Sequence, residues 1–258
     1  MIKLSIITPT YKRQNDLIKN YLFLRKNINF YNFEWILLYE IDDYKTLAAI
    51  NFMNEKFVKK YPGYYKNADK AFSFGLKKAV GNFVIIHGDD DFFEKNFFFN
   101  IKKISYSNSW IVGLGYYIND KNKIIKQCIT YVKSLFIKKY SFYTLTIINY
   151  IMSPSVIFNK KIANKLVSKQ RINYIGADYF LWLKFAKFYK PKIINYFLSY
   201  SKISKNTLTG SFDIKRYLIR LNILKLYANN IITRFFQYII IISLILYHFI
   251  NKKIFKNI

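Results

Sequence analysis

The sequence predicts an α/β protein with a doubly wound sheet, and two patterns lead to that prediction. Short apolar runs alternate with longer segments whose apolar residues recur at helical spacing, which is typical of a largely parallel sheet covered by helices. Polar or acidic loops at residues 8–13, 39–43 and 88–91 follow three of the apolar runs. Because parallel strands end at one edge of a sheet, we expect these three loops to lie together.

The first half of the chain supplies most of the alternation. Strands are predicted over residues 4–8, which Pro9 closes, and over residues 33–39 and 83–86. The predicted helices are one with Leu17, Tyr21, Leu24 and Ile28 on a single face, one over residues 44–61 that Pro62-Gly63 ends, and one over residues 67–80 that Gly81 ends.

The second half is expected to extend the sheet. Strands are predicted over residues 110–118, 124–131, 156–158 and 193–200, with a turn at 119–122 between the first two. Helices are predicted over residues 160–168, from Gly176 to Pro191, and over residues 213–229. Residues 134–151 are expected to form a helix or an irregular lid.

Three consecutive carboxylates, Asp89, Asp90 and Asp91, follow the apolar run at 83–86. Side by side at the end of a buried strand, they repel one another unless a positive charge lies between them. A hard divalent cation with oxygen ligands suits that place and leaves positions open for a substrate phosphate. A solvated acidic turn is the alternative, but the chain has only 14 acidic residues and places three of them here. His87 is interpreted as a packing residue.

The chain is strongly basic, with 42 lysines and arginines and a formal charge of +28, which attracts polyanions. Lys, Asn, Ile, Phe and Tyr are abundant together, as AT-rich genomes favour, so the charge is weak evidence for a partner. No RNA-binding, zinc or helix-turn-helix signature accompanies it, and no nucleic-acid partner is expected. The single cysteine, Cys128, allows no internal disulfide and indicates a reducing compartment. The N-terminus does not resemble a signal peptide.

An apolar segment at residues 235–250 is broken only by Gln237, Ser243 and His248. Its 16 residues fall short of the roughly 20 that a spanning helix needs. Basic residues flank the segment on both sides, which suits a helix held at an anionic membrane face. A buried C-terminal helix or an oligomer contact is the alternative.

Several segments, taken in order, resemble one enzyme family. They are residues 5–13 (SIITPTYKR), residues 33–38 (FEWILL), the spaced small residues Ala71, Gly75, Ala79 and Gly81, the aspartates at 89–91, residues 177–183 (ADYFLWL), and Tyr200 with the loop at 204–206. Over residues 1–210 their order and spacing resemble glycosyltransferase family 2, an inverting family with the GT-A fold. The aspartates stand where that family has its Asp-x-Asp motif, and the 177–183 segment resembles the one that carries its catalytic base.

The chain departs from the family pattern at four places. The departures are Tyr39 and Glu40 in place of two aspartates, with Asp42 and Asp43 just beyond, Phe72-Ser73 in place of Arg-Asn, Gly88 in place of the first Asp of the metal motif, and Ala177 in place of the Glu of a Glu-Asp pair. The first two bear on donor preference. The last leaves Asp178 as the base candidate in its segment.

The resemblance implies a GT-A domain over residues 1–210, with a nucleotide-binding half at 1–93 and an acceptor half at 94–210. C-terminal helices at 211–258 would associate with the membrane. The implied activity is metal-dependent, inverting transfer of a sugar from a nucleotide-sugar to a glycan or lipid-linked acceptor. The expected setting is bacterial surface polysaccharide or lipooligosaccharide synthesis at the cytoplasmic face of the inner membrane.

The resemblance also implies a role for each candidate residue. Glu40 would accept the imide N–H of uracil, which favours a UDP-sugar and leaves a GDP-sugar open, and Tyr11 would stack on the base. Asp178 would take the acceptor proton, with a helix N-cap as its alternative role. The other candidates are Thr8 and Pro9 for backbone shape, Asp90 for the ribose or donor sugar, Arg13 and Lys70 for the phosphates, and Asp91 and Asp89 for Mn²⁺ or Mg²⁺.

Two other classes of protein fit part of the sequence. A nucleotidyltransferase also has strand-end carboxylates and a metal, but it normally has a Gly-rich basic loop near the N-terminus, and residues 8–13 contain no glycine. A basic nucleic-acid-binding protein would stack bases on aromatic side chains. The aromatic residues, 20% of the chain, lie instead in apolar periodic runs typical of a core.

Overall fold

The computed structural model describes residues 4–65, 67–104, 109–119, 134–147, 149–167 and 177–203, with six further residues between 234 and 243. The strands are β1 (Leu4–Thr10), β2 (Phe33–Glu40), β3 (Val58–Gly63), β4 (Phe83–Ile86), β5 (Asp91–Phe93), β6 (Trp110–Asn119), β7 (Val156–Asn159) and β8 (Lys192–Ile203). The helices are α1 (Gln14–Asn27), α2 (Tyr44–Asn51), α3 (Ala68–Lys78), α4 (Phe97–Lys102), α5 (Phe142–Ile147), α6 (Lys160–Val167) and α7 (Ala177–Phe188), with a 3-10 turn at Ser153–Ser155.

All eight strands join in one sheet, in the order β3-β2-β1-β4-β7-β6-β8-β5. β1 is parallel to β2 and β4, and β2 is parallel to β3. β7 runs antiparallel to both of its neighbours, and β5 runs antiparallel to β8. This mixed, doubly wound sheet is the predicted one, and it sets the carboxyl ends of β2, β1 and β4 side by side.

Apolar side chains on the two faces of the sheet form two layers of core. In β1, Leu4 and Ile6 lie in the layer that includes α1 and α4, whereas Ile7 lies in the layer that includes α3 and α7. Aromatic side chains fill much of both layers, and Trp110 and Trp182 stack with ring centroids 6.1 Å apart. Many of the aromatic side chains are therefore core, as the sequence indicated, whereas others, such as Phe30 and Phe99, are exposed.

Helix α3 packs unusually close to the sheet because it carries a glycine where it crosses β1 and β2. A Cβ on Gly75 would lie 2.6 Å from Ile7 Cγ2 and 2.8 Å from Leu38 Cδ1. Ala71 and Ala79, one turn away on either side, are buried on the same face. The spaced small residues therefore allow the helix to lie directly on the two strands that lead to the polar loops.

The predicted helix over residues 44–61 is wrong in its second half, because α2 ends early and β3 follows. Asp43 caps α2, and β3 begins at Val58, which pairs with Trp35 of β2. β3 is the edge strand of the sheet, where Pro62 is tolerated since its missing N–H is not needed on the open side. A sequence of this kind lacks the alternation of a half-buried strand, so periodicity did not indicate it.

Two smaller differences concern strands near the polar loops. β1 continues through Pro9 to Thr10, because its pairing with β2 extends that far. Its pairing with β4 stops at Ile7, so at Pro9 only β2 flanks the strand. The three-residue strand β5 was not predicted, and its strand form comes from pairing with residues 199–201 of β8. The acidic cluster therefore leads into a strand of its own.

Several predicted elements lie outside the described residues. They are the strand at 124–131, most of the turn at 119–122, the helix at 213–229 and 11 of the 16 residues of the apolar segment at 235–250. Among the helices that the structure does describe, none is long and apolar enough to cross a membrane.

Candidate active site

The loop after β1 joins the other two polar loops through its backbone. The N–H of Tyr11 donates to Asp89 Oδ2 at 3.1 Å, and the N–H of Lys12 donates to Asp43 Oδ2. Lys12 has a φ of 57°, a left-handed conformation that turns the two amides toward different loops. The expected meeting of three loops at one edge of the sheet is thus present.

The carboxylates of Asp90 and Asp91 lie close to the backbone at Gly88. Asp91 Oδ2 accepts the N–H of Gly88 at 2.8 Å, and Asp91 Oδ1 accepts the hydroxyl of Ser201. A Cβ on Gly88 would lie 2.9 Å from Asp91 Oδ2 and 3.0 Å from Asp90 Oδ1. The glycine that departs from the family pattern therefore lets two carboxylates close around the backbone.

Burial raises the pKa of all three aspartates above the usual range. The pKa of Asp89 and that of Asp91 rise to about 7, first because protein atoms displace water from the carboxyl groups and then because Asp90 repels them. Arg13 opposes the rise in the pKa of Asp89 and of Asp90 by electrostatic attraction. A further positive charge would favour the ionised forms of all three.

The donor set of the cluster fits a hard divalent cation that shares its ligands with a substrate. Within the described residues, no group of three or more His, Cys, Asp and Glu side chains is arranged to hold a metal. Mg²⁺-type sites, however, use one or two carboxylates and take their other oxygens from phosphates and water. Asp91 and Asp89, carboxylates with raised pKa values at the strand ends, suit that kind of site.

Asp178 is the second residue of α7, and two different segments hold its carboxylate. Oδ1 accepts the N–H of Tyr179, the next residue in the chain, at 2.7 Å. Oδ2 accepts the hydroxyl of Ser153 at 2.5 Å, and this bond comes from the 3-10 turn. A helix N-cap accepts an N–H from a residue two or three positions further on, so neither of these bonds is a capping bond.

The 3-10 turn contacts both Asp178 and strands of the sheet that lie next to the acidic cluster. It packs against β4, β5 and β8, and Ser155 Oγ lies 2.6 Å from Ser199 Oγ on β8. Ser199 pairs with Phe93 of β5, two residues beyond Asp91. The same turn therefore holds Asp178 and packs against the strand that begins with Asp91.

The remaining candidate residues are less tightly grouped. Both carboxylate oxygens of Glu40 accept the N–H of Tyr65, at 3.1 and 3.2 Å. Thr8 is fully buried, and its Oγ1 accepts the indole N–H of Trp35 at 2.9 Å. This bond joins the end of β1 to β2. Pro9 follows it in β1 and is half-buried. Lys70 is exposed in the first turn of α3, and no described contact brings its side chain to the aspartates.

His87 has the packing role that the sequence indicated. Its ring stacks on Phe93 with centroids 4.0 Å apart, and burial lowers its pKa to about 3, so the imidazole is neutral. Two polar residues that contact Asp91 were missed, Ser201 and Asn20, whose Nδ2 donates to the Asp91 carbonyl at 2.9 Å, and so was Ser153, which contacts Asp178. Asn20 could have been found, because it lies on the apolar face of α1 and is buried.

The raised pKa of Asp91 predicts a stability that depends on pH. The folded protein holds this proton more tightly than the unfolded chain, so the contribution is full below about pH 4 and is lost as pH rises through about 7. Asp91→Asn should therefore raise Tm by about 2–4 °C at pH 8 and by much less at pH 5. Thermal unfolding without added metal measures this, with Asp42→Asn as a control for an exposed aspartate. An equal Tm difference at both pH values would contradict the assignment.

No protein-family profile and no curated protein sequence matches the chain. Solved structures do match its fold. One is residues 1–349 of TarS from S. aureus in complex with UDP-GlcNAc, with a TM-score of 0.59 and 18% identity over 89% of this chain and 68% of that one. Another is the mannosyltransferase PcManGT from Pyrobaculum calidifontis in complex with GDP-Man and Mn²⁺, with a TM-score of 0.62 and 13% identity over 88% of this chain and 65% of that one.

At these identities the similarity is one of fold, and it confirms the GT-A-like architecture expected from the resemblance. A longer TarS structure matches with a TM-score of 0.59, and this chain spans only 39% of its length. The resemblance to glycosyltransferases drawn from the sequence is therefore supported through the fold of the shared part.

Proposed function

We propose that this protein is a glycosyltransferase that moves a sugar from a nucleoside diphosphate to an acceptor hydroxyl group, with inversion at the anomeric carbon. One observation carries the proposal: the turn that holds Asp178 packs against the strand that begins with Asp91. We infer from this packing that the two carboxylate centres, which are far apart in the chain, serve one substrate. Proteins of the same fold hold UDP-GlcNAc or GDP-Man, so a nucleotide-sugar is the substrate class that the fold favours.

The acidic cluster is the proposed site for the diphosphate. Asp91 and Asp89 would hold Mn²⁺ or Mg²⁺, which would neutralise the diphosphate as it leaves. Arg13 attracts Asp89 and Asp90 electrostatically, and its planar guanidinium would suit a pair of phosphate oxygens. Asp90 is proposed to accept hydroxyl groups of the ribose or the donor sugar.

The nucleoside is proposed to lie over the loops after β1 and β2. Tyr11 is 49% exposed at the end of β1, so its ring is accessible for stacking on a base. Glu40 accepts one backbone N–H and has further lone pairs, so it can also accept the imide N–H of uracil. This favours a UDP-sugar, with a GDP-sugar as the alternative.

Asp178 is proposed to act as the general base. The acceptor oxygen forms a bond to the anomeric carbon, the bond from that carbon to the diphosphate oxygen breaks, and the acceptor proton passes to the Asp178 carboxylate. Ser153 and the N–H of Tyr179 hold one oxygen each, which fixes the plane of the carboxylate. A single displacement of this kind inverts the configuration.

We further propose that the acceptor is a glycan or lipid-linked sugar of a bacterial surface polysaccharide. The apolar segment at residues 235–250 has basic flanks, which supports attachment to the cytoplasmic face of the inner membrane. Co-sedimentation of the full chain with anionic and with neutral vesicles tests the attachment. Recovery of the protein in the supernatant with both would exclude it.

The proposed donor class predicts a selective response to nucleotides. With Mn²⁺ present, UDP-sugars should raise Tm and be slowly hydrolysed, whereas CMP-sugars, ADP-sugars and free sugars should have no effect. A panel of UDP-, GDP-, ADP- and CMP-sugars in thermal unfolding and product assays measures this. Stabilisation by GDP-sugars alone would move the assignment to GDP, and stabilisation by none of the panel would contradict the proposed function.

A further inference from the structure

A groove on the α1 and α4 side of the sheet has two exposed aromatic rings. It encloses about 310 Å³ and is lined by Asn27, Phe30, Lys95, Asn96 and Phe99. Phe30 is 41% exposed and Phe99 is 51% exposed. Two large apolar rings on the surface of one groove point to a surface that binds a partner.

Lysines cover both rings. Lys102 Nζ lies 4.4 Å from the centre of the Phe30 ring, and Lys103 Nζ lies 3.8 Å from the centre of the Phe99 ring. Lys95, Lys102 and Lys103 are all exposed, and within the described residues none of the three forms an ion pair with a carboxylate. We call these five residues, Phe30, Phe99, Lys95, Lys102 and Lys103, the aromatic-basic patch.

Glu94 and Glu55, two acidic residues on neighbouring segments, have other partners. Glu94, next to Lys95, accepts the hydroxyl of Tyr116 at 2.6 Å. Glu55 is bonded to the Tyr21 hydroxyl and paired with Arg25 at 3.0 Å. The patch therefore keeps an uncompensated positive charge beside its apolar rings.

The patch is also rigidly supported from beneath. Phe97, Phe98 and Ile101 on the inner side of α4 are almost fully buried, and Phe98 stacks on Phe33 with centroids 4.9 Å apart. Because these anchors fix the helix, Phe99 and Lys102 are held on the outer side. A surface of this kind binds without the cost of ordering a loop.

We propose that the aromatic-basic patch docks on an anionic lipid surface. Exposed aromatic rings enter the boundary between headgroups and acyl chains, while lysines reach the negatively charged headgroups. The complementarity of charge and the pairing of each ring with a lysine favour this partner. The proposal concerns the folded domain itself and does not depend on the proposed transferase activity or on residues 235–250.

The first test uses the full chain and vesicles of phosphatidylcholine with or without 30% phosphatidylglycerol. Lys102→Gln with Lys103→Gln should weaken binding to the anionic vesicles on the order of tenfold, since each lysine near such a surface contributes roughly that scale of attraction. Phe30→Ser with Phe99→Ser should weaken it by a similar factor. Binding unchanged in both double variants would overturn the proposal.

The matched control is a second ring with a lysine over it, on the other face of the sheet. Phe188 on α7 is 63% exposed, and Lys187 Nζ lies 5.7 Å from its ring centre. Lys187→Gln with Phe188→Ser should leave vesicle binding unchanged. A loss as large as in the patch variants would show a non-specific effect of charge and overturn the proposal.

A second measurement locates the contact directly and does not depend on the folding of the multiple variants. In a Cys128→Ser background, an environment-sensitive fluorophore attached at Asn96→Cys should shift to the blue with anionic vesicles, whereas one at Lys187→Cys should not. Single-stranded oligonucleotide is the competing ligand. A fluorophore response at position 96 to the oligonucleotide and none to the vesicles would replace the lipid by nucleic acid.

Discussion

Asp178→Asn is expected to lower kcat by about 10²–10⁴-fold, the contribution typical of a general base. The amide keeps the size of the side chain, and its oxygen can accept the N–H of Tyr179 while its NH2 group donates to the hydroxyl oxygen of Ser153, but it cannot take the acceptor proton. Binding of the UDP-sugar should change little, because Asp178 is not assigned to the donor. Steady-state rates and calorimetric affinities, measured on the same preparation, separate the two effects.

Asp69→Asn is the matched control for this variant. It removes the same charge from the first turn of another helix, α3, and should keep kcat within a few-fold of the parent. The kcat of Ser153→Ala should lie between those of Asp178→Asn and Asp69→Asn. This variant keeps the Asp178 carboxylate but removes the hydroxyl group that holds one of its oxygens. Full activity in Asp178→Asn would remove the base assignment, and loss of donor affinity together with activity would assign the residue to the donor instead.

Asp91→Ala is expected to abolish the part of the nucleotide affinity that depends on metal. In the parent, Mn²⁺ should tighten UDP binding by at least tenfold, since even partners outside the metal shell commonly contribute 10–100-fold to such sites. In the variant, UDP should bind with the same weak Kd with and without Mn²⁺. Calorimetric titrations with UDP and with GDP, in Mn²⁺ and in chelator, measure the difference.

Asp42→Ala provides the control at the same edge of the sheet. Asp42 is exposed in the loop after β2 and is not assigned to the cation. It should keep the full response to Mn²⁺. A parent protein that binds UDP equally well in Mn²⁺ and in chelator would refute the cation site, and a normal response in Asp91→Ala would show that another residue holds it.

The parts of the fold that could be predicted are those that depend on residues close together in the chain. The buried strand at Phe83–Ile86 is a plain apolar run, and the acidic residues after it are conspicuous in a basic chain. Parallel topology then placed the loops together without any knowledge of contacts. β3 was missed because an edge strand with lysines and a proline has no clear period.

Other features depend on partners that are distant in the chain. β5 is a strand only because residues 199–201 pair with it. Ser201, the partner of Asp91, is 110 positions further along the chain. The bond from Ser153 to Asp178 likewise joins segments whose serines look ordinary in the sequence. The sequence could therefore name the carboxylates, but it could not name the hydroxyl groups that orient them.

The pairing of β5 with β8 constrains how this protein can vary. The carbonyl of Asp90 accepts the N–H of Lys202 at 3.0 Å, and the carbonyl of Leu198 accepts the N–H of Glu94 at 2.9 Å, so bonds to β8 bracket the short strand. Loss of one residue within β8 would exchange inward and outward side chains along the strand and withdraw Ser201 from Asp91. Substitutions in β8 that keep Ser199 and Ser201 are thus compatible with a working cluster, whereas an insertion or deletion between residues 198 and 202 is not, and natural relatives should preserve the length of that segment.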